Sequence, residues 1–241
     1  MKGVVLAGGT GSRLYPLTKV TNKHLLPVYD EPMIYYPIKT LRAAGITDIL
    51  IVIGGESIGD FLKLLGSGEE LGVNITYRAQ AGSAGIPAAL SLAQEFIGSH
   101  KFMVVLGDNI MDESLKNEAE EFKNNKVGAH IFVKEVEDPE RYGVVEVKDN
   151  KVVGMAEKPK NPKSNLVASG VYMFDSKVFG LIPKLKPSGR GELEITDILN
   201  NYIRNKDLTF SRIGGYWTDA GTLESLYHAN TVVREKKNGK S

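Results

Sequence analysis

The stretch Met1-Lys2-Gly3-Val4-Val5-Leu6-Ala7-Gly8-Gly9-Thr10-Gly11-Ser12-Arg13 decides the fold. Val4, Val5, Leu6 and Ala7 form an unbroken apolar run, the pattern of a strand buried on both faces of a parallel sheet. Gly8, Gly9 and Gly11 end that run abruptly and leave bare backbone N–H groups with no Cβ to shield them from a ligand. Arg13 adds a planar, permanently charged fork suited to phosphate oxygens. A glycine turn that closes a strand and precedes a cation is a phosphate-handling device. The alternative is a tight strand-to-helix turn carrying a surface arginine. A P-loop would need Lys and then Ser or Thr after its glycines, which Gly11-Ser12-Arg13-Leu14 does not supply. A dinucleotide fingerprint would need a glycine where Leu14 stands. Pro16 and Pro27 also interrupt the long helix that both devices open. Instead a loop follows, and it brings a second cation, Lys23, within reach of Arg13.

Outward from this turn, strand and helix patterns alternate. Residues 49–53 and 103–106 are continuous apolar strands, with a weaker strand at 74–78 between them. A helix is expected over 32–44, opened by Pro32, closed by Gly45 and striped by Ile34, Ile38 and Leu41. A second is expected over 87–97, from Pro87 to the stop at Gly98. A third, over 114–125, is charged on most faces and reads as a surface helix. Such alternation predicts an α/β fold with a doubly wound, mostly parallel, Rossmann-like central sheet. The second half differs: 143–147 and 151–156 flank Asp149-Asn150, a two-residue hairpin turn, and 167–174 is another strand. Together they predict a small antiparallel extension. The chain reads as one domain over 1–241, and its last residues, 236–241, are expected to fray.

Composition narrows the function. The 241 residues can bury a sizeable core. Thirty Lys and Arg against 29 Asp and Glu leave a net charge of +1, so no bulk field attracts nucleic acid or a membrane surface, and anion binding has to be local. No cysteine is present, which removes disulfides and thiol chemistry. The four histidines, His24, His100, His130 and His228, lack metal-ligand spacing. No apolar run approaches the length of a membrane span or a signal peptide core, so a cytoplasmic protein is expected. Asp108 stands directly beyond a strand, where open α/β sheets place ligand-binding groups. Asp219 stands in a turn between Trp217 and Gly221. Two such carboxylates can share a Mg²⁺ ion that takes its remaining oxygens from water and phosphate. The alternative for Asp108-Asn109 is an ordinary turn; for Asp219, taken singly, a charge at a helix N-terminus ahead of Thr222 is the better reading.

The run from Gly8 to Thr18 with Lys23-His24-Leu25-Leu26-Pro27 resembles the signature of the sugar-phosphate nucleotidylyltransferases. The likeness continues through Leu106-Gly107-Asp108-Asn109, Asp138-Pro139-Glu140-Arg141-Tyr142-Gly143-Val144 and Glu157-Lys158-Pro159. It ends with Gly189-Arg190-Gly191-Glu192-Leu193-Glu194-Ile195-Thr196-Asp197 and Trp217-Thr218-Asp219-Ala220-Gly221. Within the family it is nearest to members that join dTTP and glucose 1-phosphate. The resemblance implies an Mg²⁺-dependent direct displacement with Arg13, Lys23 and Lys158 as catalytic cations and Asp108 and Asp219 as metal ligands. It implies nucleotide contacts at Leu6, Gly8, Gly9, Gly11, Ser12, His24, Gln80 and Gly85. Sugar-phosphate contacts would fall at Asn109, Gly143, Glu157, Ser169, Gly170, Tyr172 and Arg190.

A first part, 1–125, would then serve mainly the nucleotide. Residues 126–221 would serve mainly the sugar phosphate, and 222–241 would form a C-terminal helix and tail. Gln80 offers one donor and one acceptor, matching the edge of thymine or uracil. Glu157 and Lys158 would point opposite ways in a straight strand, so a bend is expected there, beside Pro159. His24 replaces a glutamine common in longer members, Ser169 replaces a threonine, and Ala84, Pro87 and Ala88 replace a more polar run. The chain stops short of the tail on which long members build a regulatory site, so the same feedback control is not expected. Members are commonly tetramers, which makes a homo-oligomer an expectation. The alternatives are UTP or another sugar 1-phosphate as substrate, or a non-catalytic nucleotide-sugar-binding homologue.

Overall fold

The computed structural model describes residues 1–9, 11–82 and 84–239. Thr10 of the glycine turn, Ser83, and Lys240 and Ser241 of the tail lie outside the described residues. The elements are β1 (Lys2–Ala7), β2 (Pro27–Val28), β3 (Glu31–Pro32), α1 (Tyr35–Ala43), β4 (Asp48–Gly54), α2 (Ile58–Leu65) and β5 (Asn74–Gln80). They continue with α3 (Ile86–Ser91), α4 (Gln94–Ile97), β6 (Phe102–Leu106), β7 (Asn109–Met111), α5 (Lys116–Asn124) and β8 (Ala129–Glu135). The remainder are β9 (Gly143–Lys148), β10 (Lys151–Glu157), β11 (Leu166–Phe174), α6 (Val178–Leu181), α7 (Ile195–Arg204), β12 (Leu208–Arg212), β13 (Trp217–Asp219) and α8 (Leu223–Lys237).

The central sheet has parallel strands in the order β5-β4-β1-β6. The chain winds outward from β1 to β4 and β5, then returns across β1 to β6. Strand order therefore reverses between β1 and β6, and the crevice at their C-terminal ends is the ligand position of such sheets. Gly8 follows one of these strands and Asp108 the other. Beyond β6 the sheet becomes antiparallel: β11 pairs with β6 and carries β8, which is joined in parallel by β12. The β9–β10 hairpin attaches through Val144 and Val167.

Alternate residues of each central strand feed two cores. Val4, Leu6, Leu50, Val52 and Val104 pack with Leu90, Ile97, Ile198 and Leu199. Val5, Ala7, Ile49, Ile51 and Ile53 pack on the other face with Ile38, Leu41, Phe61 and Phe122. Burial on both faces is why the strands read as continuous apolar runs. A third cluster ties Leu14 to Ile110, Ala220, Leu226 and Val233, fixing the chain after the glycine turn against α8.

Several boundaries depart from the sequence expectations. The helix expected from Pro32 begins at Tyr35, because Pro32 pairs with Pro27 in the β2–β3 ladder. The helix expected over 87–97 breaks at Leu92 and Ala93, whose amides bond three residues back and tighten the turn. The α5 helix is not wholly a surface element, since Ala119 and Phe122 are buried. Asp149 and Asn150 adopt φ of 50° and 56°, the left-handed pair that a two-residue hairpin turn requires. The tail does not fray from residue 236: α8 runs to Lys237, with Lys236 paired to Asp112 and Lys237 to Asp30. Among the described residues no helix is long and apolar enough to cross a membrane.

Candidate active site

Two cavities meet in the crevice between β1 and β6. One, of about 260 Å³, is lined by Leu6, Gly8, Gly9, Arg13, Lys23, His24, Gln80, Gly85 and Asp108, with Ile86, Ala89, Leu106 and Glu192. The other, of about 140 Å³, is lined by Asn109, Gly143, Glu157, Lys158, Ser169, Gly170, Tyr172 and Asp219, with Arg141, Tyr142, Thr196 and Trp217 among its further walls. Arg13, Ile86, Leu106 and Asp108 border both. Gly11, Ser12 and Arg190, also singled out in the sequence, line neither.

The glycines shape the first cavity. A Cβ on Gly8 would fall 2.5 Å from Gln80 Oε1, so the glutamine at the end of β5 reaches across the turn only because residue 8 has no side chain. Gly11 has φ +63°, and a Cβ there would meet Thr18 and Lys23 at 2.8 and 3.2 Å. Gly11 and Ser12 thus act on the loop's path. Ser12 opens a short 3₁₀ turn that buries Leu14 and leaves Arg13 facing the crevice. His24 is buried beside them, its Nδ1 2.7 Å from Asn22 Oδ1. Burial, with Lys23 adjacent, pushes its pKa down to about 3, so it is a neutral wall at pH 7.

A two-stranded ladder unites the acidic residues. The β7–β13 pair sets Asp219 opposite Asn109, and Ala220 N–H donates to Asp108 O at 2.8 Å. Asp219 Oδ1 accepts a hydrogen bond from the Tyr142 hydroxyl at 2.9 Å and lies 3.6 Å from Arg141 Nη2. That guanidinium nitrogen is buried and otherwise unbonded. A Cβ on Gly221 would lie 3.0 Å from Arg13 Nη2, 3.2 Å from Asp219 Oδ2 and 3.5 Å from Asp108 Oδ2. One cation and two carboxylates therefore converge on bare backbone. Burial and the facing Asp108 raise the Asp219 pKa. Burial also works against the Asp108 charge, yet Lys23 and Arg13 hold its carboxyl at about 2.

The second cavity depends on backbone irregularity. Lys158 has φ +40°, a left-handed conformation that is strained for a lysine. This bend turns Glu157 and Lys158, neighbours in sequence, into the same cavity. Gly170 has φ +85° where the β11–β8 register shifts, and a Cβ there would press on Asn109 Nδ2 at 2.8 Å. Asn109 Oδ1 accepts from Trp217 Nε1 at 2.6 Å. Ser169 Oγ is buried and without a hydrogen-bond partner among the described residues. Burial, reinforced by Glu194, raises the Glu157 pKa. Arg190 is held by Glu194 at 2.8 Å, Glu157 at 3.3 Å and Glu192 at 3.6 Å, so three carboxylates already meet its charge.

Sequence reasoning gave no role to Arg141, Tyr142, Thr196 or Trp217, all of which border the second cavity. Each sits inside a quoted motif, and an Arg-Tyr pair directly before Gly143 was the available signal.

The profile of the nucleotidyl transferase family matches residues 2–236. The chain is 43% identical to the glucose-1-phosphate thymidylyltransferase of Neisseria meningitidis serogroup A over 242 residues, covering 99% of this chain and 84% of that one. It is 46% identical to the enzyme of the same name from Xanthomonas campestris pv. campestris over 236 residues, with coverages of 96% and 80%. A Bacillus anthracis protein assigned as a glucose-1-phosphate thymidylyltransferase and solved with sucrose superposes with a TM-score of 0.93 and 52% identity, covering 98% and 96% of the two chains. A UDP-glucose pyrophosphorylase solved with UDP-glucose superposes with a TM-score of 0.86 at 25% identity, covering 98% of each.

Proposed function

The chain belongs to the nucleotidyl transferase family, and we propose from that premise that its paired cavities join dTTP to glucose 1-phosphate, giving dTDP-glucose and pyrophosphate. The observation that carries this reading is the shared wall. A cavity that includes Gln80 and a smaller polar cavity that includes Glu157 and Ser169 abut at Arg13 and Asp108. A phosphate oxygen of the sugar 1-phosphate attacks the α-phosphorus of the nucleotide, the new P–O bond forms, and the bond to the β-phosphate oxygen breaks as pyrophosphate leaves. The attacking oxygen is already ionised, so no protein nucleophile or base is needed. The work is positioning and charge stabilisation.

Arg13 and Lys23 stand on the nucleotide side and Lys158 on the sugar side, and losing one such donor typically costs about 10²–10³ in rate. Glu157, Asn109 and Ser169 present acceptors and a hydroxyl to the sugar. The residues present fit Mg²⁺: Asp108 and Asp219 offer hard oxygens around the bare Gly221 backbone. Among the described residues no third acidic or histidine ligand joins them, which leaves the remaining positions to water and phosphate. Bound there, the ion would neutralise charge on the phosphates.

Relatives named for thymidylyl transfer at 43–46% identity favour dTTP over UTP. A pyrophosphate-release assay over dTTP, UTP, GTP and ATP, each with glucose, mannose and amino-sugar 1-phosphates, tests the reading. Turnover of UTP at or above that of dTTP overturns the nucleotide choice. Binding without turnover at saturating Mg²⁺ favours a non-catalytic homologue.

A further inference from the structure

Glu194 is the N-cap residue of α7, yet its side chain makes no capping bond to the helix. The carboxylate turns back to the loop before α7 instead. There Oε1 accepts from the Ser188 hydroxyl at 2.6 Å, and Arg190 Nη2 donates to Oε1 at 2.9 Å and to Oε2 at 2.8 Å. The side chain is only 9% exposed, and a charge at that depth has to be paired. Glu194 lines neither crevice cavity, so its charge either holds the loop or acts through Arg190. The loop has an anchor of its own. Leu193 N–H donates to Ala84 O at 3.0 Å, and Leu193 O sits where a Cβ on Gly85 would fall 2.1 Å away. That leaves the second possibility, action through Arg190.

Arg190 Nη2 also donates to Glu157 Oε1, at 3.3 Å, a longer bond than those it makes to Glu194. Glu157 stands opposite Gly143 in the β9–β10 ladder. A Cβ on Gly143 would lie 3.5 Å from Glu157 Oε2 and 3.2 Å from Thr196 Cγ2, so Oε2 sits over bare backbone between two walls of the smaller crevice cavity. Among the described residues no donor meets Oε2. An arginine beside a single carboxylate commonly takes both of its oxygens through parallel N–H groups. Arg190 does not do this to Glu157, because Glu194 already occupies it. We propose that Glu194 is a positioning residue for the sugar. By occupying Arg190 it confines that guanidinium to one oxygen of Glu157, and the other stays free to accept a sugar hydroxyl. The inference rests on the sugar 1-phosphate reading above, and Glu194 itself touches no substrate.

Glu194→Gln tests the proposal, since it keeps the volume and can still accept from Ser188 but removes the charge that holds Arg190. In a crystal of the ligand-free variant, Arg190 is expected to bond both oxygens of Glu157. In steady-state kinetics the KM for glucose 1-phosphate is expected to rise about tenfold, the size of one charge-assisted hydrogen bond. The kcat and the KM for dTTP should change little. Glu157→Gln should cost a similar factor, and adding Glu194→Gln to it should cost nothing more, because the oxygen that Glu194 protects is already compromised. A purely structural Glu194 would instead add its own loss and raise the KM for dTTP as well, and either result overturns the proposal. So does an unchanged KM for glucose 1-phosphate, or a variant crystal in which Arg190 keeps to Oε1. A wild-type enzyme inactive on every sugar 1-phosphate would sink the reaction reading instead, and the variant crystal would still decide whether Glu194 restrains Arg190.

Discussion

Lys23 Nζ stands 2.5 Å from Asp108 Oδ2, so the cation assigned to the nucleotide phosphates and the carboxylate assigned to the metal neutralise each other in the ligand-free protein. Both side chains are largely shielded, 14% and 11% exposed. A lone charge at that depth is costly, and the pair keeps both groups in place until ligands arrive. In the proposed reaction each would exchange one opposite charge for another: Lys23 would gain phosphate and Asp108 the dication.

That pairing predicts how the two residues respond to substitution. Lys23→Met leaves Asp108 buried and unpaired, and is expected to lower stability on the order of 3 kcal/mol. Adding Asp108→Asn to that background should recover part of the loss, because the orphaned charge is gone. Urea denaturation of the two single variants and the double variant measures the coupling. Strictly additive losses would show that the contact carries no energy.

Tyr142 holds Asp219: its hydroxyl donates to Oδ1 at 2.9 Å, while Oδ2 faces Asp108 and Arg13 across Gly221. Hydrogen bonds to charged groups contribute about 1.5–3 kcal/mol. Tyr142→Phe is therefore expected to raise the Mg²⁺ concentration for half-maximal turnover by roughly tenfold or more, together with a loss of thermal stability of the same order as the hydrogen bond. An unaltered Mg²⁺ dependence would remove Tyr142 from this role.

Gly221 has a simpler prediction. Its missing side chain is the space into which Arg13, Asp219 and Asp108 converge. Gly221→Ala should fold normally yet lose most turnover, since a methyl group would displace the guanidinium and one carboxylate. Wild-type kinetics in this variant would mean that the three groups do not work around that point.

Much of this arrangement was legible in the sequence, and the limit has a physical cause. The doubly wound sheet follows from Val4–Ala7, Ile49–Ile53 and Met103–Leu106 because strands buried on both faces need continuous apolar runs. The turn at Asp149-Asn150 and the bend at Lys158 follow from local backbone chemistry. Partnerships between distant side chains were not legible. Arg190 reads as a free phosphate cation until the fold places Glu157 and Glu194 beside it. Arg141 acquires its Asp219 partner only when β13 sets that carboxylate against it. Such pairings depend on register and bulges, which composition and periodicity do not encode.

Lys158 separates backbone strain from charge. Its φ of +40° carries a cost for any residue with a Cβ, on the order of 1 kcal/mol, which glycine does not bear. Lys158→Gly is therefore expected to be at least as stable as wild type, whereas Lys158→Ala should not gain. Both variants should lose sugar-phosphate turnover, with nucleotide binding less affected. A less stable glycine variant would show that the lysine contributes more through packing than the bend costs.

Acid stability gives the last prediction. His24 and His130 have pKa values pushed down by burial from 6.5 to about 3 and about 4. Between those values and 6.5 the unfolded chain binds protons that the folded chain refuses, so stability rises with pH and falls as the solution is acidified. Each histidine contributes a slope of up to about 1.4 kcal/mol per pH unit. Asp108, held at about 2 against its ordinary 3.8, adds a further loss as pH falls through that lower window. Urea midpoints should therefore decline from pH 6.5 to pH 4. His130→Gln, which cannot titrate, should flatten that decline by up to one proton's worth while leaving the step below pH 3.8 in place. An identical slope in the variant would mean that His130 takes up its proton as readily in the folded protein as in water.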